Sequence, residues 1–130
     1  MIKAVDTSIL ARVIARDDPH QVVLAEAALA QQTFVSLTVI LETTWLLTSR
    51  YRLPRSEVAA SLIDILSAPN VHCEQADMVE WALGRFAKGA AIGDMVHLVA
   101  ASRQTALLTF DRSMAKEAGP DCPVPVETIS

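Results

Sequence analysis

Short apolar clusters of strand length alternate with longer helical segments along this chain. The first cluster, Ile2 to Val5, precedes a predicted helix over about Ser8 to Ala15, and Pro19 opens a second helix that reaches about Gln31. The alternation continues through the sequence and predicts an α/β fold, in which a parallel sheet carries helices on both faces. Functional residues of such open sheets lie beyond the carboxyl ends of the strands, so a site is expected there.

The remaining predicted elements keep the same rhythm. They are, in chain order, a strand Thr33 to Ser36, a helix Thr38 to Tyr51, a helix from Pro54 to about Ala68, a strand Val71 to Cys73, a helix Ala76 to Lys88, a helix Asp94 to Gln104, a strand Ala106 to Phe110, a short helix Arg112 to Ala118 and an edge strand Val124 to Thr128. The 130 residues contain no Gly/Ser linker, which predicts one domain over residues 1–130.

Composition excludes several classes of protein. A hydrophobic content of 52% excludes a disordered chain, and the net charge of −4 is not the basic footprint of a protein that coats nucleic acid. The longest charge-free run, Ala27 to Leu41, spans 15 residues, whereas a membrane-spanning helix needs about 20. The distant Cys73 and Cys122 are expected to be reduced, and no secretory signal is evident, so we expect a cytoplasmic protein.

Three aspartates stand at predicted strand ends or helix starts. Asp6 directly follows the first strand, Asp111 follows the strand that ends at Phe110, and Asp94 opens the helix that leads into that strand. Capping is the alternative interpretation of each, because an aspartate at a helix start accepts hydrogen bonds from free backbone N–H groups and contributes about 1 kcal/mol. Asp6 and Asp111 meet at one edge of the sheet only if their strands are neighbours.

Glu42 lies within a helix that is apolar nearly all round. At about 100° per residue, its neighbours on the helix surface are Trp45 and Leu46, so we expect the helix and this carboxylate to be largely buried. Burial of an unpaired charge is costly, so the carboxylate needs compensation. A salt bridge to an arginine, or a carboxylate that reaches the helix end, are the alternatives to a functional role.

Convergence of these acids would require a counter-charge. Two carboxylates about 4 Å apart repel by roughly 4 kcal/mol at an effective dielectric constant near 20. An arginine could compensate this repulsion, but no nearby cation in the sequence fills that role obviously. Hard oxygen ligands select Mg²⁺ or Mn²⁺, and a metal site is therefore the favoured interpretation if the topology brings the acids together.

The acids lie in four short motifs whose order and spacing can be compared with known families. The motifs are Val5-Asp6-Thr7-Ser8-Ile9-Leu10, Leu41-Glu42, Lys88 to Leu98, and Leu108-Thr109-Phe110-Asp111-Arg112. Together they resemble a PIN-domain ribonuclease, most closely the VapC toxins of prokaryotic toxin–antitoxin pairs, over essentially the whole chain.

This resemblance implies a fold, an activity and partners. The fold is a Rossmann-like α/β/α sandwich with a parallel four- to five-stranded sheet in the order 3-2-1-4-5, which would place Asp6 and Asp111 on adjacent strands. The activity is Mg²⁺- or Mn²⁺-dependent endoribonuclease cleavage of RNA, and the partners are a cognate VapB-like antitoxin and a second copy in a homodimer. Many relatives carry a further aspartate where this chain has Ala91, which puts a second metal site in doubt.

The resemblance also suggests roles for individual residues. Asp6 and Asp94 would hold the metal, directly or through water, and Glu42 and Asp111 would complete the acidic ring. Ser8 and Thr109 would orient these carboxylates with their hydroxyl groups, for which hydrogen bonding within a helix or turn is the alternative.

Basic and remaining polar residues give weaker indications. Arg50, Arg52 and Arg55 could contact RNA phosphates, with a solvated helix end as an equal alternative. His97, one turn after Asp94, is interpreted as a packing histidine. No glycine-rich phosphate loop, zinc-type Cys/His spacing or nucleophile elbow is present. The alternative to a nuclease is a PIN-like domain that has lost catalysis and serves as a binding or scaffold module.

Overall fold

Seven helices and five strands alternate in the computed structural model, which describes residues 1–130. The elements are β1 (Lys3–Ala4), α1 (Thr7–Ala15), α2 (Pro19–Leu29), β2 (Thr33–Val35), α3 (Leu37–Ser49), α4 (Arg55–Leu66), β3 (Val71–Cys73), α5 (Ala76–Ala87), α6 (Ile92–Ala100), β4 (Leu107–Thr109), α7 (Met114–Ala118) and β5 (Val126–Thr128). Every predicted element is confirmed in type and order; β3 has the predicted bounds, and the other four strands are shorter than predicted.

Local hydrogen bonds explain where the helices begin. The Asp18 carboxylate accepts a hydrogen bond from the Gln21 backbone N–H at 3.1 Å, and Pro19 occupies the first position of α2, where no N–H is needed. The Ser36 hydroxyl accepts from the Val39 N–H at 3.3 Å at the start of α3. The Ser36 cap places the start of α3 directly after β2, at the edge of the sheet where a site is expected.

The parallel sheet differs from the predicted one in being divided. β2 lies between β1 and β3, and β4 pairs with β5 in a separate two-stranded sheet. The predicted order is therefore confirmed within 3-2-1 and within 4-5, whereas the predicted junction between β1 and β4 is not formed. β4 is held instead by its parallel pairing with β5, and the neighbouring Met114, Ala118 and Val124 fix this segment to the main core.

The core is one cluster of 22 buried apolar residues contributed by most helices and by β2 and β3. It is dominated by aliphatic side chains such as Leu10, Ile40, Leu83 and Leu98, which are completely inaccessible to solvent. Helices α4, α5 and α6 pack in series against this core, and α3 packs on α1 and α6. None of the seven helices combines the length and apolar character that crossing a membrane would require.

Both cysteines are free, as expected from their spacing. Cys73 lies at the end of β3, where burial, with a smaller contribution from the neighbouring Glu74, raises the pKa of its thiol to about 11. The thiol therefore stays protonated at neutral pH, and since the thiolate is the nucleophilic form, Cys73 has no sign of a chemical role.

Candidate metal centre

Three acidic side chains converge where α6, β4 and α7 meet. Asp94 lies in the first turn of α6, Asp111 follows β4, and Glu117 lies in α7. One carboxylate oxygen from each lies within 4.8 Å of the other two, and Asp94 and Glu117 are half-buried while Asp111 is exposed. The structure thus brings together two of the four predicted acids, Asp94 and Asp111, and adds Glu117, which sequence reasoning missed.

The Asp111 carboxylate is held by the residue two positions further on. Its Oδ1 accepts hydrogen bonds from the Ser113 hydroxyl at 2.7 Å and from the Ser113 backbone N–H at 2.9 Å. These hydrogen bonds, the hydroxyl first, lower the pKa of Asp111 below its ordinary value because they stabilise the charged form. The Thr109 hydroxyl, predicted to orient a carboxylate, instead accepts a hydrogen bond from the Asp111 backbone N–H at 2.9 Å and so fixes the turn.

Asp6 has the same local arrangement at the end of β1. Its Oδ1 accepts from the Ser8 hydroxyl at 2.5 Å and the Ser8 backbone N–H at 3.0 Å, which caps α1. The hydrogen bond from the Ser8 hydroxyl is the main reason why the pKa of Asp6 is lowered. Ser8 therefore makes the contact predicted for it, and the capping alternative describes Asp6 as the structure has it, outside the three-acid cluster.

This comparison reveals a signal that the sequence contains. Asp6-Thr7-Ser8 follows β1 and Asp111-Arg112-Ser113 follows β4, so the pattern Asp-x-Ser occurs after both strands. In each case the serine lies two residues after the aspartate and binds its carboxylate. The repeat could have assigned Ser113 its role from the sequence alone.

Glu42 is exposed, and the expectation that it is buried is wrong. The buried face of α3 is formed by Ile40, Thr43, Thr44 and Leu47. A helix can bury threonines in this way because a hydroxyl can donate to its own preceding turn, as the Thr44 hydroxyl does to the Ile40 carbonyl at 2.6 Å. The apolar appearance of the rest of the helix therefore did not identify its buried side.

Trp45 shares the exposed side of α3 with Glu42, one turn further along, and 58% of its surface is accessible. Near the start of the helix, α3 packs on α6, since a Cβ at Gly93 would lie 4.0 Å from the Leu41 side chain. Glu42 directly follows Leu41 in the chain, and Asp94 directly follows Gly93, so each acid is next to a residue of this packing contact. The structure places Glu42 beside the region of the cluster, but not among its three members.

No arginine neutralises these acids. The only salt bridges in the structure join Arg12 to Asp17 at 3.0 Å and Arg16 to Glu26 at 3.3 Å. The alternative in which a guanidinium compensates the acidic cluster is therefore not what the structure shows. A donor set of three carboxylates fits a hard divalent cation such as Mg²⁺ or Mn²⁺, which would relieve their mutual repulsion.

The predicted RNA-binding arginines have different environments. Arg55 donates from Nη1 to the carbonyls of Phe86 at 2.9 Å and Ala90 at 2.8 Å, and its guanidinium lies 4.5 Å from the centre of the Phe86 ring. It therefore fastens the connection from α5 to α6, a structural role that sequence reasoning missed. Arg50 and Arg52 are exposed and keep their side chains free.

His97 lies on α6, the helix that carries Asp94. His97 is exposed, so its interpretation as a packing histidine is wrong; it lies on the solvent side of α6, whose buried residues include Met95 and Leu98.

A cavity of about 610 Å³ lies beside β1, with Lys3 and Asp6 among its lining residues. It does not include the three clustered acids, so the carboxylate geometry, rather than the concavity, indicates the metal centre.

The family model for the PIN domain matches residues 3–119 of the chain. No curated protein matches the sequence. The matched range includes β1 through α7, and therefore every acid predicted from the sequence as well as Glu117.

Proposed function

The chain belongs to the PIN domain family, which is generally a fold of metal-dependent nucleases, and on this premise we propose that it is an endoribonuclease that uses Mg²⁺ or Mn²⁺. The observation that carries the proposal is the convergence of Asp94, Asp111 and Glu117 within 4.8 Å of one another, without an arginine to neutralise them. Three carboxylates held this close favour a divalent cation between them.

The proposed site assigns a task to each residue. Asp94, Asp111 and Glu117 would hold the cation, with Asp6 and Glu42 as the further acids expected from the motifs. When bound, the cation would supply a Lewis acid that polarises a phosphate oxygen and lowers the pKa of a bound water. Ser113 keeps the Asp111 carboxylate oriented and ionised through two hydrogen bonds, and Ser8 does the same for Asp6.

We further propose a substrate and partners from the sequence resemblance to VapC toxins. The substrate is RNA, and the activity would be controlled in the cytoplasm by a VapB-like antitoxin. A protein partner, or a second copy in a homodimer, is supported by exposed apolar side chains, since Val23 is 66% accessible, Leu108 62% and Phe110 76%. Residues 1–130 would act as a single PIN domain in this assembly.

A second candidate function is a binding or scaffold module without catalysis. The position of Asp6 favours it, because that carboxylate lies outside the three-acid cluster. Metal binding separates the two candidates, since a scaffold has no need of a cation. A lack of any Mn²⁺ effect on thermal unfolding would favour the scaffold.

RNA cleavage tests the proposed function directly. Purified protein is incubated with total RNA in Mn²⁺, with EDTA as the first control, and cleavage is expected only with the metal. Asp94→Asn and Asp111→Asn should abolish cleavage, whereas Asp64→Asn, which changes an exposed acid of α4, should retain it. Equal cleavage by all three variants would show that the activity does not depend on the cluster.

A further inference from the structure

Glu117 is presented to the metal centre by a helix that needs external support. α7 has only five residues, Met114–Ala118, and a helix of this length is not stable without tertiary contacts. Its buried residues, Met114 and Ala118, fix one side of the helix to the core. They do not hold the carbonyl groups at its carboxyl end, which have no partner within the helix.

Arg85 of α5 supplies that partner. Its Nε–H donates to the Glu117 carbonyl at 2.7 Å, and its Nη2 lies 3.5 Å from the Lys116 carbonyl. A cation at the carboxyl end of a helix also interacts favourably with the helix dipole. The guanidinium therefore binds the main chain of the residue whose side chain belongs to the acidic cluster.

Gly119 leaves the space that this contact requires. It ends α7 with φ +78, and a Cβ at this position would lie 3.0 Å from Arg85 Cζ and 3.1 Å from Nη1. A side chain here would be strained by the backbone conformation, and its Cβ would lie close enough to the guanidinium to force it to shift. Arg85 and Gly119 together form one contact, the α7 latch.

The latch acts on the backbone of Glu117 and leaves its carboxylate available. The Glu117 side chain forms no salt bridge, and its carboxylate lies within 4.8 Å of those of Asp94 and Asp111. We propose that Arg85 is a positioning residue that places Glu117 in the metal centre through the main chain of α7, and so sets the affinity for the divalent cation. This inference rests on the proposed function.

The charge of Arg85 and its positioning contact with α7 predict opposite changes in cation affinity when Arg85 is lost. Removal of a positive charge near three carboxylates should by itself strengthen cation binding. Loss of a positioning contact should weaken it, because groups that orient metal ligands typically contribute about 10- to 100-fold in affinity. The sign of the change in Kd therefore separates the two effects.

The test measures the Kd for Mn²⁺ by electron paramagnetic resonance or calorimetry. We expect Glu117→Gln and Arg85→Met each to weaken binding by about tenfold or more. The double variant should bind no more weakly than Glu117→Gln alone, because Arg85 acts through Glu117. Lys88→Met is the matched control, since it removes an exposed positive charge from the end of α5 without touching the latch, and its Kd should not increase.

Gly119→Ala provides a second test, in which the side chains of Arg85 and Glu117 are both unchanged. This variant keeps the proposal testable if Arg85→Met does not fold. Its added Cβ should displace the guanidinium and weaken Mn²⁺ binding in a protein whose circular dichroism spectrum is native. Unchanged or tighter binding by folded Arg85→Met or Gly119→Ala would overturn the proposal.

Two further outcomes separate this inference from the proposed function. Unchanged binding by Glu117→Gln, with weakened binding by Asp94→Asn and Asp111→Asn, would overturn the role of the latch but leave a metal centre in place. Unchanged binding by all three acid variants would instead overturn the proposed function, and with it the latch.

Discussion

At the scale of single residues, the two Asp-x-Ser turns show how a serine controls a carboxylate. In both turns the hydroxyl and the backbone N–H of the serine bind the same carboxylate oxygen, which fixes its rotation and favours its ionised form. An ionised, oriented carboxylate is what a divalent cation requires of a ligand. The turns therefore hold both carboxylates in the ionised, oriented state that the proposed metal centre requires of its ligands.

Ser113→Ala tests this effect on Asp111. The pKa of Asp111 should rise toward the ordinary value of 3.8, because the hydroxyl that stabilises the ionised form is lost. Because the pKa is lower in the wild type, its Asp111 carboxylate stays ionised, and able to bind a cation, to a lower pH than the carboxylate of the variant. NMR titration of the Asp111 side chain measures the difference, and an equal or lower pKa in the variant would contradict the account.

Two substitutions of Asp6 separate its role as a helix cap from a role as a metal ligand. Asp6→Ala should lower the free energy of unfolding by about 1 kcal/mol, whereas Asp6→Asn should change it little, because asparagine is also a good cap. If Asp6 is a metal ligand as the motifs predict, Asp6→Asn should nevertheless lose RNA cleavage. Denaturant unfolding and the cleavage assay give the two results, and full cleavage by Asp6→Asn would restrict Asp6 to capping.

Since the Asp6 pKa is lowered in the folded protein, its contribution to stability has a defined pH dependence. A carboxylate with a depressed folded pKa stabilises the fold at pH values above its unfolded pKa, and this contribution is lost as the pH falls through the folded value. The stability difference between wild type and Asp6→Ala should therefore shrink on acidification. A difference that grows at low pH would be inconsistent with the hydrogen bonds from Ser8.

At the scale of secondary structure elements, arginines on α4 and α5 hold main-chain carbonyls of neighbouring elements. Arg55 binds the connection that leads into α6, the helix of Asp94, and Arg85 binds the end of α7, the helix of Glu117. Neither arginine neutralises a clustered acid. The positive charges thus position the elements that carry the acids while the carboxylates stay available to a cation.

Arg55→Ala should destabilise the protein by about 2 kcal/mol, because it leaves the Phe86 and Ala90 carbonyls without a charged donor. Arg50→Ala is the matched control, since Arg50 is exposed at the end of α3 and its loss should fall within about 0.5 kcal/mol of wild type. Denaturant unfolding of the two variants checks this difference. An equal effect of both substitutions would argue that the Arg55 contacts do not contribute to stability.

The elements also show how far sequence reasoning reaches. The alternation of strands and helices predicted every element and a site beyond the carboxyl ends of the strands. That Asp94 and Asp111 belong to one acidic site was expected from the resemblance to the PIN-domain motifs. Sequence reasoning could not find Glu117, whose place depends on a latch between α5 and α7 that joins residues 32 apart. It misjudged Glu42, because its apolar neighbour Trp45 is exposed and the buried face of α3 includes two threonines, Thr43 and Thr44.

At the scale of the whole molecule, the divided sheet leaves two strand edges without partners. Lys3 N–H and Val5 N–H donate toward β2, so the intervening Ala4 faces the opposite edge of β1. Leu107 N–H donates to the Pro125 carbonyl just before β5, and the Thr109 carbonyl accepts from Ile129 N–H just after it, which leaves Leu108 on the free edge of β4. The resemblance to a five-stranded family sheet could not predict this division, in which β4 pairs with β5 alone.

Amide hydrogen exchange tests the divided sheet. The Ala4 and Leu108 amides should exchange rapidly because they face free edges, whereas the amide of Phe34, in the middle of the three-stranded sheet, should exchange slowly. Rapid exchange is expected in the protein without added metal or partner. Protection of Ala4 and Leu108 to the level of Phe34 would show that the two sheets join in solution.

The most direct measurement for the whole account is thermal unfolding with increasing Mn²⁺. Because a cation that binds only the folded state adds about 2.7 kcal/mol of stability at a hundredfold excess over Kd, the Tm of the wild type and of Asp64→Asn should rise with Mn²⁺. The Tm of Asp94→Asn and Asp111→Asn should stay nearly constant over the same range. A wild-type Tm that does not respond to millimolar Mn²⁺, or one that rises equally in all four proteins, would contradict a metal centre built from these carboxylates.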